Sequence, residues 1–168
     1  LDISRHTEAS AADYIYGSAE VIGLLCVDIF LREEFVSREQ RATLDRGARA
    51  LGSAFQKVNF LRDFGEDAHQ LGRIYLPETR QRGLDEQAKA EIVGDIRNEL
   101  AVASRSLTLL PSRPQLGVRT AIGIFEELTD KIEATSAADV QRGRVRISAP
   151  RKLVVSARTL ARSGLRQS

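Results

Sequence analysis

A chain of 168 residues that is 42% hydrophobic and 29% charged can bury one sizeable core, and its composition is that of a globular domain rather than a disordered segment. Its longest apolar run, Val21 to Val27, is broken by Gly23 and followed by Asp28, well short of the roughly 20 residues that span a bilayer. The net charge of +2 divides unevenly: from Val140 to Ser168 there are seven arginines, one lysine and no acid, which leaves −6 on the residues before them.

In chain order, Leu1 opens a sequence without methionine and without a basic-then-apolar leader, so it is expected to be a piece of a longer polypeptide with no mark of secretion. From Ala11 to about Leu31, the residues Tyr14, Ser18, Val21, Ile22 and Leu25 recur at spacings of three and four, which predicts a helix. The lone cysteine on it, Cys26, excludes an internal disulfide framework, fits a reducing compartment and is expected to be a buried small hydrophobe. Ser37-Arg-Glu-Gln40 is a capping pattern that opens a second long helix, whose apolar series Leu44, Ala48, Leu51, Phe55, Val58 continues past Leu61. Gly72 to Gly83 breaks the period and holds Pro77, so a loop is expected. A third helix is expected over Asp85 to Leu110, ended by a Pro111-Ser-Arg-Pro114 turn, and a fourth over about Leu116 to Ala134. Val145 and Ile147 are the only candidate strand-like alternation before Pro150 opens a last helix through Leu153, Val154, Ala157 and Leu160. No repeat, low-complexity linker or domain boundary interrupts the series, so the fold class is all-α in a single domain.

The basic C-terminal segment is most simply a solvated helix face. Its functional readings are attraction to a diphosphate or to an anionic membrane surface. Nucleic acid is not expected as a partner, because the segment has no aromatic residue for stacking and matches no reader motif.

The chemistry concentrates in Gln56-Lys-Val-Asn59-Phe-Leu-Arg62-Asp63-Phe-Gly-Glu66-Asp67. At about 100° per residue, Gln56, Asn59, Asp63 and Asp67 share roughly an 80° arc of one helix face. They form a column of oxygen-bearing side chains about 16 Å long. Magnesium takes oxygen ligands in octahedral geometry and is commonly held by one or two carboxylates together with substrate phosphates. An Asp-x-x-x-Asp pair offers those carboxylates while leaving coordination positions open. Arg62 on the flank and Arg73 beyond are placed to neutralise phosphate oxygens. The bland alternative is a solvated acidic face, since like charges at this spacing are common and mildly destabilising. Phe55, Val58, Phe60, Leu61 and Phe64 crowd the rest of this helix, which argues for burial, and a buried carboxylate needs a partner.

The block Asn59-Phe-Leu-Arg-Asp63-Phe-Gly-Glu-Asp67, continuing to Gly72-Arg-Ile-Tyr75-Leu-Pro77, resembles the second aspartate-rich motif of the squalene and phytoene synthase family, and is nearest to its bacterial phytoene synthases. Tyr14-Ile-Tyr16-Gly17-Ser-Ala-Glu-Val-Ile-Gly23 is similar to that family's tyrosine-rich helix, and Phe125 to Lys131, Arg144-Val-Arg-Ile147 and Lys152-Leu are similar to its C-terminal blocks. The resemblance implies an all-α isoprenoid-synthase bundle around a central cavity, and a prenyltransferase that joins two geranylgeranyl diphosphates head to head into phytoene through a cyclopropyl intermediate. It implies Mg²⁺, or Mn²⁺ in its stead, held by Asn59, Asp63 and Asp67. Gln56 and Arg62 would contact the prenyl diphosphate with Arg73, Tyr14 would lie near the reacting carbons, and Ser18 and Ile22 would line the hydrocarbon tunnel.

Several features depart from the family pattern. The first aspartate-rich motif is absent from these 168 residues, so they are expected to be the C-terminal portion of a single prenyl-synthase domain and inactive alone. Phe125 stands where many members place a substrate-contacting tyrosine, and Glu20 where many have a small residue. The alternatives are squalene or dehydrosqualene synthesis from farnesyl diphosphate, and a non-catalytic relative that binds or assembles. Tyr14 has the alternative of a packed core tyrosine, and Tyr16 reads as structural. Cytoplasmic localisation is expected, with peripheral contact at the inner face of the membrane open to it. His6 and His69 are too far apart to suggest a metal site, and no Ser/His/Asp, Cys/His or glycine-rich nucleotide motif is present.

Overall fold

The computed structural model describes residues 8–70, 76, 79 and 83–164, and within that range the side chains of 8–11, 67–70, 160 and 162–164 lie outside the description. Among the described residues seven α-helices follow in order: α1 (Glu8–Ile15), α2 (Val21–Phe30), α3 (Arg38–Gln70), α4 (Glu86–Ser106), α5 (Ser112–Ala134), α6 (Ala137–Arg142) and α7 (Ala149–Gly164). No strand occurs among the described residues, so the all-α expectation holds. Val145 and Ile147 form no strand. The Val145 N–H instead donates to the Arg62 carbonyl at 3.2 Å.

α3 is the spine, about 50 Å long at 1.5 Å per residue. Its start is the capping box expected from the sequence: Ser37 N–H donates to Gln40 Oε1 at 2.8 Å, and Gln40 N–H to Ser37 Oγ at 3.1 Å. Ala54, Val58, Phe60, Leu61 and Phe64 of α3 are buried in one core with Ile92, Val93, Ile96 and Leu100 of α4 and Ile122, Leu128 and Ile132 of α5. A smaller cluster of Val27, Leu31 and Leu44 joins the end of α2 to the start of α3.

Three differences from the expected elements have local causes. The first helix is α1 and α2 joined by a π-helical turn, Tyr16–Glu20, in which the Ser18 hydroxyl donates to the Tyr14 carbonyl at 2.6 Å. Such a turn carries one extra residue relative to an α-helical turn. The fourth helix starts at Ser112 rather than Leu116, because Pro114 falls in its first turn, where a missing N–H costs nothing. Between α5 and α7 lies the short α6, whose Ser136 cap accepts from Asp139 N–H at 3.1 Å.

Close approaches fix how the helices cross. A Cβ on Gly52 of α3 would sit 2.7 Å from the Ala19 carbonyl oxygen, so only glycine lets the π turn lie against α3. The start of α4 is tied to the end of α5 by buried Lys89, whose amine donates to the carbonyls of Glu133 and Thr135 and pairs with Glu86 at 2.7 Å. Arg97 bridges the same helices through Asp130 at 2.9 Å and through Glu133.

Candidate active site

Gln56, Asn59 and Asp63 lie on successive turns of α3, each half-buried, and the same unbroken helix carries Asp67. Register alone therefore puts the four on one face. The Asp67 side chain and Arg73 lie outside the described residues.

Asp63 is gripped by two guanidinium groups. Arg62 donates from Nε to Oδ1 at 3.0 Å and from Nη2 to Oδ2 at 2.5 Å. Arg144 Nε lies 2.8 Å from the same Oδ1, and its Nη1 is 3.7 Å from Glu66. With the Asp63 side chain 19% exposed, these charge-assisted pairs satisfy a half-buried carboxylate.

The backbone brings Arg144 there. A Cβ on Gly65 would sit 2.5 Å from the Gln141 carbonyl oxygen and 3.2 Å from Gly143 N, so the glycine lets the end of α6 press onto α3. The Val145–Arg62 backbone hydrogen bond then pins the strand of chain that holds Arg144. Sequence reasoning assigned Arg144 no role. Seven arginines in one segment look alike by composition, and the available signal was its place in Arg144-Val-Arg-Ile147.

Beside this polar face is an apolar cavity of about 330 Å³ between α2, α3, the end of α4 and α5. Ser18, Ile22, Cys26, Leu51, Phe55 and Val118 are among its walls. Cys26 is thus half-buried and faces the cavity, not fully buried as expected. Phe125 stacks on Phe55 with ring centroids 3.7 Å apart, so its ring backs the cavity wall through Phe55. Tyr14 is 40% exposed, with its ring 6.0 Å from that of Phe60, and so is not a packed core tyrosine. Tyr16 carries Arg49 over its ring at 5.1 Å, and Arg49 also reaches Glu20 at 3.3 Å. α3 thus separates two chemistries: Phe55 faces the cavity, while Gln56 begins the polar column.

The donors fit a hard divalent cation in kind, since Asn59 and Asp63 offer only oxygen. Among the described residues, no three of His, Cys, Asp or Glu gather closely enough to hold an ion. An ion here would need oxygens from a substrate, which is how magnesium is commonly held beside phosphates.

A family model described as squalene/phytoene synthase matches residues 1–151. The chloroplastic phytoene synthase 2 of Solanum lycopersicum is 34% identical, the match covering 89% of this chain and 52% of the relative. The chloroplastic phytoene synthase 3 of Zea mays is 32% identical, with 89% of this chain and 38% of the relative covered. The 15-cis-phytoene synthase of Pantoea ananas is 31% identical, with 71% and 41% covered. The chain therefore spans about half the length of the first of these relatives and about two-fifths of the other two.

Proposed function

Because the chain belongs to the squalene/phytoene synthase family, whose all-α isoprenoid-synthase-type fold it has, we propose that it forms the second aspartate-rich half of a Mg²⁺-dependent prenyltransferase site. The reaction proposed is head-to-head condensation of two geranylgeranyl diphosphates to phytoene through a cyclopropyl diphosphate. One observation carries this reading: a polar column that includes Asp63, gripped by Arg62 and by Arg144 from beyond α6, lies on the same helix that walls an apolar cavity of about 330 Å³.

Asn59, Asp63 and Asp67 are the residues proposed to hold Mg²⁺, or Mn²⁺ in its place. When bound, the ion supplies Lewis-acid stabilisation of charge on the departing diphosphate. Gln56, Arg62, Arg73 and Arg144 bind and orient the diphosphate, the two arginines on Asp63 exchanging a carboxylate for phosphate oxygens of like charge. Ser18 and Ile22 line the site of the hydrocarbon chain, Phe125 supports its wall, and Tyr14 turns its ring face to developing positive charge. An allylic cation needs a dry pocket, yet Ile22 is 55% exposed and Tyr14 40%. The 168 residues alone are therefore expected to be inactive.

The experiment is incubation of the full-length protein with geranylgeranyl or farnesyl diphosphate, with and without Mg²⁺, followed by extraction of hydrocarbons. Phytoene from the C20 substrate, made only with the metal, is the expected result. Dehydrosqualene from the C15 substrate, or squalene when NADPH is added as hydride donor, would move the reading to the sister reaction. No hydrocarbon from either would favour a non-catalytic relative, in which the arginines hold Asp63 as a permanent ion pair.

A further inference from the structure

A polar network lies in the seam between α3 and α4, and nothing in the proposed chemistry uses it. Glu99 of α4 reaches across to α3, where its Oε1 accepts from the Ser53 hydroxyl at 2.8 Å and from the Lys57 amine at 2.8 Å. Asp95, one turn earlier on α4, comes within 3.8 Å of the same amine. Ser53 is buried, and the side chains of Lys57 and Glu99 are 19% and 24% exposed. The second carboxylate oxygen, Glu99 Oε2, is buried with no hydrogen-bond partner among the described residues. The neighbouring positions are apolar: Ala54, Val58 and Leu61 of α3 and Ile96 and Ala103 of α4 belong to the core.

An ion pair in such a seam is a poor source of stability. The desolvation of two charges is offset by their attraction only when the remaining lone pairs are satisfied, and here one oxygen is not. Apolar side chains of similar size would hold the two helices together at least as well. What the network does fix is position. At about 100° per residue, Ser53 and Lys57 stand roughly 60° and 100° around α3 from Gln56, both to the same side of it. Ala19 presses on α3 at Gly52, on the other flank of Gln56, so that turn of the helix is held from both sides. No hydrogen bond links the Gln56 side chain to a described residue, so the setting of its helix turn alone places it. We propose that Ser53, Lys57 and Glu99 are positioning residues, which set the turn of α3 carrying Gln56 so that its amide meets a diphosphate, and do so at a cost in stability. The inference rests on the reading of Gln56 as a diphosphate contact.

The test is calorimetric titration of the full-length protein with inorganic diphosphate and Mg²⁺, beside thermal melts. The apolar triple Ser53→Ala, Lys57→Met and Glu99→Met should melt at or above the parent's midpoint, yet bind diphosphate roughly tenfold more weakly. Gln56→Ala should lose about as much, and adding it to the triple should cost little more, because both changes act through one amide. The charge exchange Lys57→Glu with Glu99→Lys keeps a pair across the seam, and the serine hydroxyl can accept as well as donate, so binding should return to within about threefold of the parent. Should the triple not fold, Ser53→Ala alone removes one donor from Oε1 and should weaken binding roughly threefold at an unchanged midpoint. Parental binding by the network variants, losses that add fully with Gln56→Ala, no recovery in the charge exchange, or weakened binding that only follows a lowered midpoint would each overturn the proposal. Parental binding by Gln56→Ala would overturn the reading of Gln56 along with it, whereas weakened binding there beside unaffected network variants would overturn the proposal alone.

Discussion

Asp63 is held by a neighbour on its own helix and by an arginine from the far end of the chain, and the two contacts differ in what their loss should do. Arg62 is adjacent in sequence and fixed by the helix, whereas Arg144 reaches Asp63 only because Gly65 and the Val145–Arg62 bond position its segment. Arg144→Gln in the full-length protein is expected to lower kcat/KM for the prenyl diphosphate by roughly 10- to 100-fold, the value of a lost charge-assisted hydrogen bond. It should cost stability by only about 1 kcal/mol, because Arg62 remains on the carboxylate. Steady-state kinetics beside thermal melts separate the cases. A lowered melting midpoint with unchanged kinetics would make Arg144 purely structural. At this scale the sequence was legible in the shared α3 face of Gln56, Asn59 and Asp63, where spacing alone sets the register. It was not legible for Arg144, because a pairing between α3 and a segment some eighty residues later (about that separation) leaves no periodic trace.

The elements that could be read from sequence were those long enough to show a period or capped by a recognised pattern. α3 has both, and its capping box closes as expected. α6 has six residues, too few for a repeating apolar face, and its Ser136 cap is a single residue among several polar ones. The π turn of Tyr16–Glu20 hides because apolar spacing of three and four continues across it. The docking of α7 on α5 makes a prediction about pH. The Arg151 hydrogen bonds hold the Glu127 carboxyl below the usual carboxylate range, helped by the nearby charges of Arg151 and Arg158. The folded state then binds this proton less readily than the unfolded chain. The stabilisation is complete above the unfolded value and fades as pH falls through the folded one. The difference in urea midpoint between the parent and Glu127→Gln should be constant near neutral pH and shrink in strong acid. A difference that does not change with pH would remove the ion pair from the account of how α7 is held.

For the whole molecule, the family and the all-α class were legible because the Asp63 block is specific in its residue order and helical periods recur along the chain. The cavity was legible only in part. Ser18 and Ile22 fall on its wall, but its closure by Leu51, Val118 and the end of α4 depends on the crossing of helices that no single stretch encodes. Among the described residues no helix is long and apolar enough to cross a membrane. The α3 polar column is proposed to bind a metal diphosphate beside the cavity. The most direct measurement is turnover of the full-length Asp63→Asn variant on geranylgeranyl diphosphate at saturating magnesium, with circular dichroism as the check on folding. The account predicts a loss of at least roughly 100-fold, with the helical signal retained, since several kcal/mol of charge stabilisation are withdrawn from the departing diphosphate. Near-parental turnover by the folded variant would contradict it.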